Sequence, residues 1–364
     1  MATRSRPDAE ARDPLDLARE KPLKTKRLSL RGAAYSKRAR PGFPQEILAC
    51  TNLEVLELSD ALAPGGERVL PEGLGKLRNL QDLDLSREPW PALPESIGKL
   101  TKLRNLTLDG NPVLAALPES LGKLTRLTRL ALNDLPALRH LPKSIGELRS
   151  LETLHMSNCG LVEIPKQLWK CTELTSLVVP DHIETLPPGI RALTKLEQLV
   201  CHPKALLSIA RELPRMKALA FLAVSPRPKT ARPIRLPEEL GKMPGLTTLI
   251  LGYSRTLLPD SLEGHPELRV LDVGGADLRT IAKYLLTFPK LESVDLEDTK
   301  IPKEERALVD HFMTFPPHRR IELIRWEAAR EQRAEEAKAK AAAKAKAKKK
   351  TAAKKKTAKS GVRS

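Results

Sequence analysis

The string LPESIGKLTKLRNLTLDGN at 93–111 returns along most of this 364-residue chain. Its first residue falls at Phe43, Leu70, Leu93, Leu117, Leu141, Ile164, Leu186, Ile209, Leu236, Leu258, Ile281 and Ile301, in steps of 20 to 27 residues. Proline follows at ten of these twelve positions, Ala210 and Ala282 being the exceptions. One such unit cannot bury its own apolar face, so a fixed period of this length forces neighbouring copies to stack. In Leu103-x-x-Leu106-x-Leu108 the last pair alternates in and out as a short strand must. The Pro- and Gly-bearing segment after it turns the chain back. The Leu-Pro-x-x-Ile-Gly-x-Leu stretch then returns along the outside with its apolar residues inward. The expectation is an α/β repeat: an open solenoid with a parallel sheet on its concave side and short helices or irregular segments on its convex side.

These residues resemble the leucine-rich repeat pattern L-x-x-L-x-L-x-x-N/C-x-L. Among its classes they look most like the 23-residue LPxxIGxL type of Ras-group and bacterial cytosolic members. The resemblance covers about 23–315 and implies a horseshoe that recognises proteins. The Asn slot after each strand is Asn only at Asn111, with Cys159, Ser254 and Thr299 as partial substitutes. Elsewhere the turn carries Asp134 to Pro136, Pro203 or Gly275, so backbone groups there need other partners. Two 27-residue steps hold insertions, at 61–69 and in the Pro-rich, basic stretch 225–235.

The sequence divides into a polar, partly disordered segment at 1–22, the solenoid at 23–315, a C-terminal cap and helix at 316–337, and a disordered Lys/Ala-rich tail at 338–364. Solenoid ends expose apolar surface and need covers. Leu28 and Leu30 suggest a degenerate first strand behind a short helix around Pro14–Glu20. At the back, 304–315 reads as a helix, 320–326 as a closing strand or helix start, and 327–346 as a fraying helix without an apolar stripe.

The formal charge of +18 resides in the ends. Residues 338–364 hold eleven Lys and one Arg with no acid, 1–41 hold twelve bases and five acids, and the body between them is one charge short of neutral. A basic isoelectric point therefore describes the tails and not the fold. Aromatics are only 3% of the chain, too few for an oligonucleotide binder built on stacked rings. No apolar run approaches the roughly 18–20 residues that span a bilayer. The opening residues lack the apolar core of a secretion signal, and the expected setting is cytoplasmic.

No cofactor, metal site or catalytic constellation emerges, so the chain reads as non-enzymatic. Cys50, Cys159, Cys171 and Cys201 all occupy slots where the repeat wants a small buried group. Without a C-x-x-C pair or clustered terminal cysteines, zinc and disulfide caps are disfavoured and a reducing compartment is expected. No Cys follows Cys201, which withholds support from the ligase domain that some bacterial leucine-rich repeat effectors append. His155 and His202 are expected on the concave side, two strands apart and with no carboxylate in register. Trp90 falls in a core Leu slot, whereas Trp169 replaces an outer Gly and is expected half-exposed.

The residues flanking and between the two strand leucines should face the concave side. Over eleven strands they include seven acids, one base (Arg129) and no Lys, which argues against gripping phosphates there. Val178, Val200, Phe221, Ala223, Ile250 and Val270 form an apolar stripe that the core does not require. An exposed apolar patch of this kind marks a partner site, against the plainer reading that β-branched residues suit strands. Acids flank it: Asp82, Asp84 and Asp109 on one side, Asp272, Asp295 and Glu297 on the other.

The expected function is a protein–protein interaction scaffold, a monomer, binding a partner with an apolar anchor and basic groups, in the setting of intracellular signalling. The alternative is nonspecific nucleic-acid association through the tail, carried by Lys348, Lys349, Lys350, Lys354, Lys355 and Lys356. The same tail also fits a solvated solubility segment, or self-contact with the acidic concave ends.

Overall fold

The computed structural model describes residues 13–32, 42–62, 68–227, 231–275, 285, 287–299 and 303–314. Its strands, in chain order, are β1 (Arg27–Ser29), β2 (Val55–Glu57), β3 (Asp82–Asp84), β4 (Asn105–Thr107), β5 (Arg129–Ala131), β6 (Thr153–His155) and β7 (Ser176–Val178). They continue with β8 (Gln198–Cys201), β9 (Phe221–Val224), β10 (Ile234–Arg235), β11 (Thr248–Ile250), β12 (Thr256–Leu257), β13 (Val270–Asp272) and β14 (Ser293–Asp295). Twelve of them form one open parallel sheet, each strand beside the one before it in the chain. Only β10 and β12 stand apart, as a two-stranded parallel pair on which the end of the 225–235 insertion is laid.

Each strand of the twelve-stranded sheet is three or four residues long because the repeat allows one inward apolar residue between two outward residues. Leu56, Leu83, Leu106, Leu130, Leu154 and Leu177 are in register across the sheet and essentially without solvent exposure. Around them the other leucines of each copy join one continuous core. On the convex side the Leu-Pro step opens short 3-10 turns. In these the proline sits just ahead of the turn in extended conformation, as Pro94 does at φ −70°, ψ 149°. Residues Glu95–Lys99 then close i to i+3 bonds, Ile97 N to Pro94 O at 3.0 Å and Leu100 N to Ile97 O at 3.0 Å.

Neighbouring turns are locked by side chains that reach across the period. The Glu72 carboxylate accepts from the amides of Glu95 and Ser96, and Glu119 from those of Lys143 and Ser144, at 2.9–3.1 Å. Gly98 is needed for this spacing, since a Cβ there would lie 2.6 Å from Ser120 O of the next turn. Where the Gly slot carries Trp169, the ring packs against the following turn, which starts at Gly189 with φ 101°. Trp169 is therefore 6% exposed rather than half-exposed, with its indole N–H donating to Pro187 O at 3.2 Å.

The Asn slot works as the sequence suggests and holds one residue that the sequence reading passed over. Asn111 donates to Leu85 O and Leu108 O, while Cys159, Ser254 and Thr299 donate to the carbonyl three residues back. In the β3 repeat the slot holds Glu88, 2% exposed. Its Oε1 accepts from Ala61 N and Leu62 N at 2.7 and 2.9 Å, and its Oε2 pairs with Arg68 at 2.9 Å. Burial pushes the Glu88 carboxyl up, against the two amides and the Arg68 charge that favour its ionised form. One buried acid thus fastens both ends of the 61–69 insertion.

The front end is covered by α1 (Pro14–Glu20), as expected, with Leu15 and Ala18 buried and Cys50 Sγ 3.8 Å from Ala18 O. Behind β8 an added helix, α2 (Pro203–Ser208), occupies the repeat that lacks the proline. The helix expected at 304–315 is α3 (Lys303–Met313), and its Val309 is buried. The expected closing segment at 320–326, the helix at 327–346 and the tail with Lys348, Lys349, Lys350, Lys354, Lys355 and Lys356 lie outside the described residues. Glu88→Ala should cost about 1–3 kcal/mol, because it leaves Leu62 N without its acceptor and the half-buried Arg68 without its carboxylate, while Ala61 N keeps Leu58 O. Glu88→Gln, which keeps an acceptor, should cost distinctly less; urea unfolding of both variants checks the ordering.

Candidate functional site

Strand register sorts the concave side chains into rows. One row runs His155, Val178, Val200, Ala223, Ile250, Asp272 and Asp295, each opposite the next. A second row, one turn of the pleat away, runs Ser176, Gln198, Phe221, Thr248 and Val270. The expected stripe thus divides. Val178, Val200, Ala223 and Ile250 are contiguous, while Phe221 and Val270 stand in a polar row with Thr248 between them. All six are half-buried rather than exposed.

Beside the apolar row lies a hollow of about 360 Å3. Val178, Val200, Ala223, Ile250 and Asp272 of the expected set line it, and Phe221 and Val270 do not. It also takes Asn158, Asp181, Pro226 and Tyr253, which the strand pattern did not single out. These four share a position, two residues past the second apolar residue of each strand. At that position Arg87, Gly110, Asp134, Tyr253 and Gly275 donate their amides to the next repeat at 2.6–2.9 Å and close the sheet's lip. Pro203 and Pro226 occupy it after β8 and β9 and have no amide to donate. After Pro226 the next residue takes over, Arg227 N donating to Tyr253 O at 2.9 Å, and of the two prolines only Pro226 lines the hollow.

Tyr253 has φ 58°, in a slot held elsewhere by Gly32, Asp60, Gly110, Asp134, Asn158, Gly275 and Asp298, also at positive φ. A bulky residue in this conformation carries strain of about 1–3 kcal/mol. The ring is 40% exposed, and its hydroxyl donates to Asp298 Oδ2 at 3.2 Å.

The acids are tied into the fold as well as facing solvent. Asp84, Asp272 and Asp295 each accept the amide two residues on, at Ser86, Gly274 and Glu297, over 2.8–2.9 Å. Asp109 accepts from Asn133 N at 2.8 Å, and Asp82 from the Asn105 side chain. Asp295 and Glu297 are exposed; Asp82, Asp84, Asp109 and Asp272 are half-buried. Asp272 adjoins Ile250, whereas β4, β5 and β6 separate Asp84 from Val178. At ~4.8 Å per strand that is ~19 Å. The first acidic flank is thus remote from the hollow and the second borders it.

His155 Nε2 lies 3.2 Å from Ser176 Oγ, and burial, followed by the Arg129 charge, holds the ring below the usual histidine value. His202 is not on the open face. It is 7% exposed and caps α2, its Nδ1 accepting from Lys204 N at 3.2 Å. The four cysteines are free and buried; burial raises Cys50 and pushes Cys159 to about 11 and Cys171 and Cys201 to about 12. Among the described residues no cluster of metal-binding side chains occurs and no helix is long and apolar enough to cross a membrane.

A family model described as a leucine-rich repeat region matches residues 130–308. The chain is a leucine-rich repeat protein. Solved solenoids of similar fold include an internalin, InlF, from Listeria monocytogenes. It is 20% identical with a TM-score of 0.60, the match covering 80% of this chain and 79% of that one. A TDR receptor is 21% identical with a TM-score of 0.55, over 77% of this chain and 48% of its own. A chain of the Toll–Spatzle complex from Drosophila is 20% identical with a TM-score of 0.56, over 71% and 35%. No curated protein matches the sequence. At these identities the solenoids share the arc with this leucine-rich repeat protein, and the hollow is described from its own residues.

Two measurements check the electrostatics. With such raised thiols, a disulfide reagent at about pH 8 should label none of the four cysteines in the folded protein and all four in denaturant. Because the fold disfavours protonated His155, its contribution is present above about pH 6.5 and lost as pH falls through that value. Unfolding curves of His155→Gln should therefore lose less stability than the wild type between about pH 7.5 and 5.5.

Proposed function

We propose that this leucine-rich repeat protein is a non-catalytic recognition scaffold that binds a protein partner on its concave face, in an intracellular signalling setting. The observation that carries the reading is the contiguous row Val178, Val200, Ala223 and Ile250 beside a hollow of about 360 Å3. The leucines of the repeat already supply the core, so an apolar row facing out from the sheet serves contact rather than folding. A stacked solenoid is rigid, and a preformed surface loses little conformational freedom on binding. Charge supports a basic partner: the concave face carries Asp272, Asp295 and Glu297 beside the row, and such a field speeds encounter with cations and rejects anions.

Toll is solved with Spatzle, which illustrates that an arc of this fold can hold a protein ligand. The intracellular setting is supported by four unpaired cysteines.

The test is crosslinking capture by the full chain in nuclease-treated lysate, against a Val200→Asp/Ile250→Asp variant whose unfolding curve matches wild type. A concave partner should resist nuclease and lose about 30-fold or more in affinity in the variant. Equal capture by both proteins overturns the reading.

A further inference from the structure

The hollow lies beside the apolar row of the concave sheet and combines an apolar floor with a one-sided charge. Its floor is Val178, Val200, Ala223 and Ile250. Its volume of about 360 Å3 is at the small end of the ~300–1,000 Å3 range for ligand sites, and its floor runs over four strands, so one side chain occupies only part of it. Asp181 and Asp272 line it, and no Lys or Arg does. The Asp272 carboxylate is fixed in place: Oδ1 accepts from Gly274 N at 2.8 Å, and Oδ2 overlies Gly252, where a Cβ would come within 2.8 Å of it. Glycine at 252 therefore leaves the space that the carboxylate occupies. Tyr253, held at positive φ and tethered to Asp298, forms the wall beside it.

We propose that the Ile250 end of this hollow is a subsite for one aliphatic side chain of a protein partner, followed directly by a lysine or arginine that pairs with Asp272. The proposal rests on the scaffold reading and narrows it to one pocket and one dipeptide chemistry. Apolar burial supplies the anchor and excludes water, and the half-buried carboxylate then discriminates by sign. An acidic residue after the anchor would meet the like charge of Asp272. A basic residue without the anchor would meet only a screened surface.

The test uses the full-length chain with methyl-labelled Ile and Val and three blocked hexapeptides: Ser-Gly-Leu-Arg-Gly-Ser, Ser-Gly-Leu-Glu-Gly-Ser and Ser-Gly-Gly-Arg-Gly-Ser. The Leu-Arg peptide should shift the Ile250 and Val200 methyl signals and bind about tenfold tighter than either control. Asp272→Asn, which keeps an acceptor for Gly274 N, should bring Leu-Arg and Leu-Glu within about twofold of each other. Ala223→Phe, which fills the floor, should abolish the shifts. Should that variant fold poorly, the Asp272→Asn comparison decides alone, since it leaves the core untouched. Equal affinities for the three peptides, or no shift at about 1 mM peptide, overturn the subsite. A captured partner lost on Val200→Asp/Ile250→Asp but retained on Ala223→Phe keeps the scaffold and removes the subsite. Retention on both removes the two together.

Discussion

The whole arc depends on leucines that no single repeat can bury. A three-residue strand has one inward side chain and too few hydrogen bonds to stand alone, so it exists only between two copies of itself. Leu106 is inaccessible to water because Leu83 and Leu130 lie in register on either side. The same stacking brings the convex turns close enough for Glu72 and Glu119 to cap the turns that follow them. Burial and hydrogen bonding thus act along one axis, and deviations in one repeat are felt by its neighbours rather than by the whole.

That separation of duties frees the concave face. With packing assigned to the leucines, the outward positions of each strand tolerate valine, histidine, threonine or aspartate alike. Function is written there against a constant background. The hollow uses that freedom: Val178, Val200, Ala223 and Ile250 form its floor, with Pro226 at its lip. The strained Tyr253 and the space above Gly252 then shape what remains. Elsewhere a comparable irregularity is repaired from within, as when Glu88 and Arg68 fasten the 61–69 insertion.

The architecture was legible in the sequence because its cause is periodic. The strands, their inward leucines, α1 and the side-chain bonds of Asn111, Cys159, Ser254 and Thr299 all follow from counting. Trp169 was misjudged because the following turn covers its ring and Pro187 O accepts its indole N–H. His202 was misjudged because α2 recruits it as a cap. Glu88 was passed over because a charged residue in an Asn slot does not announce a half-buried cation 20 positions away.

By itself, the sequence determined the repeat, the direction of the strand leucines, the burial of the cysteines and the charge asymmetry of the concave side, since each depends only on position within the period. The tertiary structure alone decided which outward residues meet. Register put Val178, Val200, Ala223 and Ile250 in one row and moved Phe221 and Val270 to another. It brought Asp272 to the hollow and left Asp82, Asp84 and Asp109 strands away. The reason is geometric: successive side chains on a strand point 180° apart, so membership in a site is set by alignment with neighbouring strands, which no single repeat contains.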